Sequence, residues 1–258
     1  MPGSWKENLS SINALLEKGS FRHGLRAVSA SSIGTQFFCE MKVEQDFLHG
    51  EIETEEKSEG DRLHGELLAM EPTTLESLAR EIEEERLVIA SFPLAGAVEG
   101  LVLVGVPDAV VFQVGRPIYV VELKTTRGDP SILFDGQRAQ AVIYGLLLDE
   151  LGFDCAKLNL LVLKLGRQIP MTEVEKSRFL DVMARALVSG EDLGAVPSGA
   201  KGQLVPHSFA YNRGEAYRIL RSTRGYWLRD RSPLPTDNPN KCRACEFRNI
   251  CPSSLART

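Results

Sequence analysis

Apolar positions recur along this chain in two rhythms. From Arg86 to Gly96 (RLVIASFPLAG) and from Val98 to Phe112 (VEGLVLVGVPDAVVF), apolar and small residues alternate, which predicts strands. QVGRP, with Gly115 and Pro117, reads as a turn, and IYVVELKTT resumes the strand pattern to Thr126. From Gln137 to Leu151 the period becomes helical, KLNLLVLKL follows as a strand, and SRFLDVMARALVSG carries the stripe of an amphipathic helix. The acidic segment from Gly50 to Pro72 reads as a helix after a loose start, with Leu63, Leu67 and Leu68 on its apolar edge. Beyond Lys201 the pattern weakens. HSFAYNRGEAYRILRSTRGYWLRD fits strand, helix or loop by turns, and SPLPTDNPN then leads into a cysteine cluster. Strands followed by helices around one sheet predict an α/β or α+β core, with the short tail packed on it.

The strand pattern contains charges that need a reason, because an unpaired charge is costly to hold among valines and isoleucines. Side chains two apart on a strand share a face, so Glu122 and Lys124 point the same way. If QVGRP closes a hairpin, Asp108 comes alongside them. A hard divalent ion resolves the resulting repulsion between carboxylates: Mg²⁺ binds through one or two of them and keeps waters that leave room for a phosphate. Such an ion polarises a phosphoryl oxygen and acidifies water, while Lys124 orients the nucleophile or stabilises developing charge, which is the chemistry of phosphodiester hydrolysis. A lone E-x-K is more often a solvated ion pair on a strand face, but here the tripeptide follows Pro107-Asp108 on the predicted partner strand. Gln140 and Tyr144 follow at i, i+4 spacing, on one face of the predicted helix, within reach of the same phosphate or its base.

Five cysteines without secretory features do not suggest disulfides. Three of them, Cys242, Cys245 and Cys251, fall within ten residues beside Lys241, Arg243 and Arg248, a setting that favours thiolates and a soft metal centre. A tetrahedral thiolate site wants a fourth ligand, and Cys39 is the better candidate. Cys155 reads as a small buried hydrophobe. From spacing alone, zinc and iron–sulfur chemistry are equally open.

Taken in order, Pro107-Asp108, Glu122-Leu123-Lys124, Gln140-x-x-x-Tyr144, one cysteine ahead of these motifs and three behind them resemble the iron–sulfur branch of the PD-(D/E)XK (RecB-type) nucleases. Within it the likeness is to Cas4 and exonuclease V, and it runs from about Ser29 to Pro252. The resemblance implies an α/β (α+β) nuclease core with a central mixed sheet flanked by helices, and a small iron–sulfur subdomain joining the N- and C-terminal regions. It implies a single nuclease domain over residues 1–258, the core at about 60–200 and the iron–sulfur region built from about 29–50 and 201–258. Gly60 to His64 matches the family's G-x-x-x-H element, so His64 would join Asp108, Glu122 and the Leu123 carbonyl as ligands of Mg²⁺ or Mn²⁺. Lys124, Gln140 and Tyr144 would complete the catalytic set. Cys39, Cys242, Cys245 and Cys251 would hold a cluster, 4Fe-4S in preference to 2Fe-2S, with an architectural role. The implied activity is metal-dependent cleavage of DNA, as single strands or from free ends. It would serve either CRISPR adaptation beside Cas1 and Cas2, in antiviral defence, or exonuclease V-like repair. A non-catalytic, zinc-stapled DNA-binding or assembly module is the alternative from another class.

Charge changes this picture in one respect. The net charge of -5 argues against a general polyanion binder, yet residues 44–86 hold fifteen acidic and four basic side chains, whereas the chain from Lys201 onward holds eleven basic and four acidic. A basic face on an acidic protein is therefore expected. Arg218, Arg221, Arg224, Arg229 and Arg231, interleaved with Tyr217, Tyr226 and Trp227, fit a path for single-stranded DNA or a plain solvated strand with core aromatics. No apolar run reaches the roughly 20 residues that span a bilayer, and the first residues lack the apolar core of a signal peptide. An intracellular, cytoplasmic protein without a membrane partner is the expectation. There is no P-loop of the form G-x-x-x-x-G-K-[ST].

Overall fold

The computed structural model describes residues 5–52, 74–126, 128–166, 189 and 204–257. The chain enters through two short helices, α1 (Trp5–Ser10) and α2 (Ile12–Leu16), then a short strand β1 (Val28–Ser29) and helices α3 (Ala30–Phe38) and α4 (Glu40–His49). After the next helix, α5 (Leu75–Glu84), come β2 (Leu87–Ala90), β3 (Leu94–Val98), β4 (Leu101–Gly105), β5 (Ala109–Gln113) and the long β6 (Arg116–Thr126). Helix α6 (Asp135–Leu151), β7 (Asn159–Gly166), β8 (Leu204–Ala210), α7 (Arg213–Trp227) and α8 (Pro239–Ala244) complete these elements. Ser29, Thr74, Asn212 and Asn238 cap α3, α5, α7 and α8, each accepting a backbone N–H that the helix itself leaves unmet.

Five strands form a mixed sheet in the order β2-β5-β6-β7-β8, in which only β6 and β7 run parallel; a second sheet has the order β1-β4-β3. Two hairpins turn on residue pairs with positive φ, Glu99-Gly100 at 51° and 82°, and Val114-Gly115 at 50° and 74°. This is the turn geometry whose twist matches that of the flanking strands. Gly115 adopts it freely, whereas β-branched Val114 is strained there. In the second hairpin the pairing shifts by one residue between Val111 and Phe112. Phe112 faces Pro117, but Val111 faces Tyr119, so Ile118 is the extra residue of a bulge.

Every residue of α6 from Ala139 to Leu148 is buried. A helix covered on all sides needs no polar face, and α6 lies against α3, α7, β3, β6 and β7. It passes α3 at a contact of two glycines, where a Cβ added to Gly136 would stand 2.4 Å from the Gly34 carbonyl oxygen. Gly152, with φ of 100°, ends α6 in the left-handed conformation.

The expected strands and the central helix are present, with α6 starting two residues earlier than its apolar period suggests. The ambiguous tail resolves into strand β8 and helix α7, and α7 packs on α6. The acidic helix with its leucine edge lies outside the described residues, as does the amphipathic helix SRFLDVMARALVSG apart from Ser189. Among the described residues, no helix is long and apolar enough to cross a membrane.

Candidate active site

The β5–β6 hairpin expected from QVGRP forms, and it sets the first part of the site. Ala109 faces Val121, so the same register extended by one residue brings Asp108 opposite Glu122. One Asp108 carboxylate oxygen accepts the Leu123 backbone N–H at 2.6 Å, which fixes the aspartate at the point where β6 presents Glu122 and Lys124. Glu122 is only 3% exposed. Its Oε1 accepts from Lys124 Nζ and from Gln140 Nε2, both at 2.7 Å.

Helix α6 supplies the second part. Gln140 Nε2 also reaches the Tyr144 hydroxyl at 2.9 Å, so one amide links the glutamate to the phenol one helical turn further on. Burial first, and then the charges of Glu122 and Asp108, push the Tyr144 hydroxyl well above its ordinary range. The phenol therefore keeps its proton at neutral pH and serves as a donor. Together a buried glutamate, a half-buried aspartate, one ammonium and two neutral polar groups form a set able to hold a divalent ion and a phosphate.

A cleft of about 440 Å³ opens from this constellation. Lys124 and Gln140 stand at one end, Ser31, Gly34 and Thr35 of α3 form one wall, and Phe134 to Gln137 at the start of α6 form the other. At the far end stand Phe37, Phe38 and Lys241. The α3–α6 glycine contact lies in the walls, so the same close approach that packs the helices also bounds the cleft.

Beyond Phe38 and Lys241 lies a second, small cavity of about 20 Å³, with Cys39, Cys242, Cys245 and Cys251 all in its lining. Lys42 and Arg248 are cationic members of the wall, and Phe38, Met41 and Phe247 are apolar ones. Burial raises the affinity of the Cys245 thiol for its proton. Cys39 reaches this cavity because the residue after it is clamped. Glu40, 7% exposed, accepts from both Arg231 guanidinium nitrogens, from Gln36 Nε2 at 2.6 Å and from the Leu234 N–H at 2.7 Å. Gln36 in turn accepts from Trp227 Nε1 at 2.8 Å. Gln36, Glu40 and Arg231 carry no recognisable sequence signal, since the partners lie almost two hundred residues apart. Cys155 lies elsewhere, and burial pushes its thiol up to about 12, as expected of a small buried hydrophobe.

Among the described residues, no three His, Cys, Asp or Glu side chains are grouped closely enough to hold one metal ion. At the carboxylates the third expected ligand, His64, lies outside the described residues. The four thiols share a cavity without converging on one point. The arginine-rich path expected along AYRILRSTRGYWLRDR is overturned at Tyr226 and Trp227, whereas Tyr217 stays half-exposed with Arg221 over its ring. Tyr226 and Trp227 are fully buried in the core, and Arg224 and Arg221 bind Glu99 at 2.9 and 3.3 Å. The segment is a helix, and its large rings serve packing because Gln36 and His23 supply polar partners inside.

The mixed sheet thus presents an aspartate, a glutamate and a lysine from one hairpin, with a glutamine and tyrosine from the covering helix. The sequence model of the PD-(D/E)XK nuclease superfamily matches residues 38–252, and the chain belongs to that superfamily, whose members are nucleases. Two solved structures match the chain at low similarity. One is described as the crystal structure of SSO0001, with 16% identity, a TM-score of 0.47, and coverage of 99% of this chain and 100% of that one. The other is an alkaline exonuclease, LHK-Exo from Laribacter hongkongensis, with 12% identity, a TM-score of 0.38, and coverage of 84% and 89%. Comparison with curated proteins finds none that matches.

Proposed function

We propose that this protein is a divalent-metal-dependent deoxyribonuclease acting on single strands or free DNA ends, with an iron–sulfur cluster that joins its two ends. The observation that carries the catalytic reading is Asp108 bonded to the Leu123 N–H one step beyond the Ala109–Val121 pair of a bulged hairpin, with Lys124 bonded to Glu122 beside it. Asp108 and Glu122 would hold Mg²⁺ or Mn²⁺, together with the Leu123 carbonyl and His64, which the family resemblance adds. The ion, when bound, polarises the phosphoryl oxygen and acidifies water. Lys124, partly open to the cleft, stabilises charge on the phosphate oxygens. Gln140 orients Glu122, and Tyr144 offers its retained proton as a hydrogen bond.

For the cluster, the supporting observation is that four thiols from distant parts of the chain line one cavity. Among the described residues no three of them are grouped closely enough to hold a metal ion, so the cluster rests on the family resemblance together with this shared lining. Cationic and apolar walls offset thiolate charge and exclude water. We assign the cluster as 4Fe-4S, with a holding rather than a catalytic role.

The test uses labelled single-stranded DNA with Mg²⁺ or Mn²⁺, together with iron and acid-labile sulfide assays on the purified protein. Cleavage by the wild type, and a loss of at least about 10²-fold in Lys124→Ala, are expected with an unchanged circular dichroism spectrum. Full activity in Lys124→Ala rejects its role, and zinc in place of iron rejects the cluster. Metal-dependent cleavage removes the non-catalytic module from consideration. Co-purification with Cas1 and Cas2 would favour CRISPR adaptation over exonuclease V-like repair.

A further inference from the structure

We propose that Phe134 is a stacking platform for one DNA base beside the cleaved phosphate, and that it makes the cleft selective for single strands. This inference rests on the nuclease reading. Phe134 is 56% exposed although it sits at the entrance to the most buried helix of the fold. Its ring lines the cleft that also contains Lys124 and Gln140, so a nucleotide whose phosphate meets Lys124 passes the ring. The underside of the ring is built. Lys164 Nζ lies 4.6 Å from the ring centroid, Lys164 is fully buried, and its ammonium donates to the Ile132 carbonyl in the loop that leads to Phe134. His207 holds the same loop through the Pro130 carbonyl at 2.9 Å. A ring seated on a fixed cation, in a pinned loop, has one face left for the cleft.

Any unpaired base has a π face to lay on such a ring, whereas bases inside a duplex are already stacked on their neighbours. At the other end of the cleft Lys241 supplies a second positive charge, held by the Phe37 carbonyl at 3.0 Å. The cleft thus has cations at both ends, and an exposed ring beside the catalytic one, an arrangement complementary to a short run of single strand.

The experiment measures binding of a labelled oligonucleotide by anisotropy, with Ca²⁺ as the ion, to wild type, Phe134→Ala and Phe134→Tyr. A set of oligonucleotides carries one abasic position each, and cleavage with Mn²⁺ is followed in parallel. Stacking of one base predicts affinity lowered roughly five- to 150-fold in Phe134→Ala and restored in Phe134→Tyr. It also predicts one abasic position that weakens wild type but leaves Phe134→Ala unaffected. Lys241→Ala is expected to reduce the salt slope by about 0.7, one single-strand phosphate contact. Wild-type affinity in Phe134→Ala, or equal abasic sensitivity in both proteins, overturns the platform even if cleavage is intact. The reverse result, an intact abasic signature with no metal-dependent cleavage, overturns the nuclease reading and leaves the platform standing.

Discussion

Replacing Gly136 by Ala should disturb stability and activity together, because it strikes the point where α3 and α6 touch backbone to backbone. The new Cβ would lie 2.4 Å from the Gly34 carbonyl oxygen, and an ordinary contact begins at 3.4 Å, so the helices must part by about 1 Å. Overfilling a packed contact costs about 1–3 kcal/mol, offset in part by up to about 1 kcal/mol from alanine's better helix propensity. A net loss of about 1–2 kcal/mol is expected. The shift also reaches the chemistry, because Gln140 is one turn along the same helix. Its amide lies 2.7 Å from Glu122, and a further 1 Å of separation takes that pair out of hydrogen-bonding range. Misplacement of that size lowers rates by up to about 10²-fold. Urea denaturation would give the midpoint and slope, and initial cleavage rates the second quantity. Gly128→Ala is the control, since its Cβ would find nothing nearer than Thr126 Oγ1 at 3.6 Å. A Gly136→Ala protein with wild-type midpoint and rate would refute the reasoning, and Gly34→Ala, at 2.8 Å from the Gly136 oxygen, should show a milder form of both effects.

Val114→Asn should stabilise the protein by about 0.5–1 kcal/mol, seen as a higher thermal midpoint, because asparagine accepts the left-handed first position of the turn that valine resists. Burial holds the His23 imidazole below its ordinary 6.5 despite the opposing pull of Glu44. The unfolded chain therefore takes up this proton first, and stability should fall as pH drops below 6.5, by at most about 1.4 kcal/mol per pH unit until the folded group also titrates. In His23→Asn, which suits the local φ of 60°, that part of the acid slope should vanish from denaturation curves recorded between pH 7 and 5. Cys155→Ala should leave iron content unchanged, whereas serine at Cys39, Cys242, Cys245 or Cys251 should lower it; equal loss in all five variants would sink the assignment of four ligands.

The hairpin and its charges were legible in the sequence because strand periodicity is local: Glu122 and Lys124 two apart, a Gly115 turn and Asp108 on the far side suffice to predict a shared face. Helix α6 was legible for a similar reason, as was the isolation of Cys155. The cleft was not, since its walls come from α3 and the start of α6, and the tolerance of that crossing depends on two glycines more than one hundred residues apart. The fate of Tyr226 and Trp227 was equally hidden. Arginines around them suggest a surface, and only the distant Gln36 and His23 show why the rings can be buried with their polar atoms met.

The bulge at Ile118 has a consequence that can be counted on the fingers. Around a two-residue turn, partners differ in number by an odd amount, as Gln113 and Arg116 or Phe112 and Pro117 do. Asp108 and Glu122 differ by fourteen, and their parity alone reveals that one residue has been absorbed between turn and site. Shortening β6 by that single residue would restore odd parity and keep the two acids facing each other, while losing one from β5 would give odd parity but slide them out of register. Behind a two-residue turn, even spacing between facing acids is thus a written trace of a bulge.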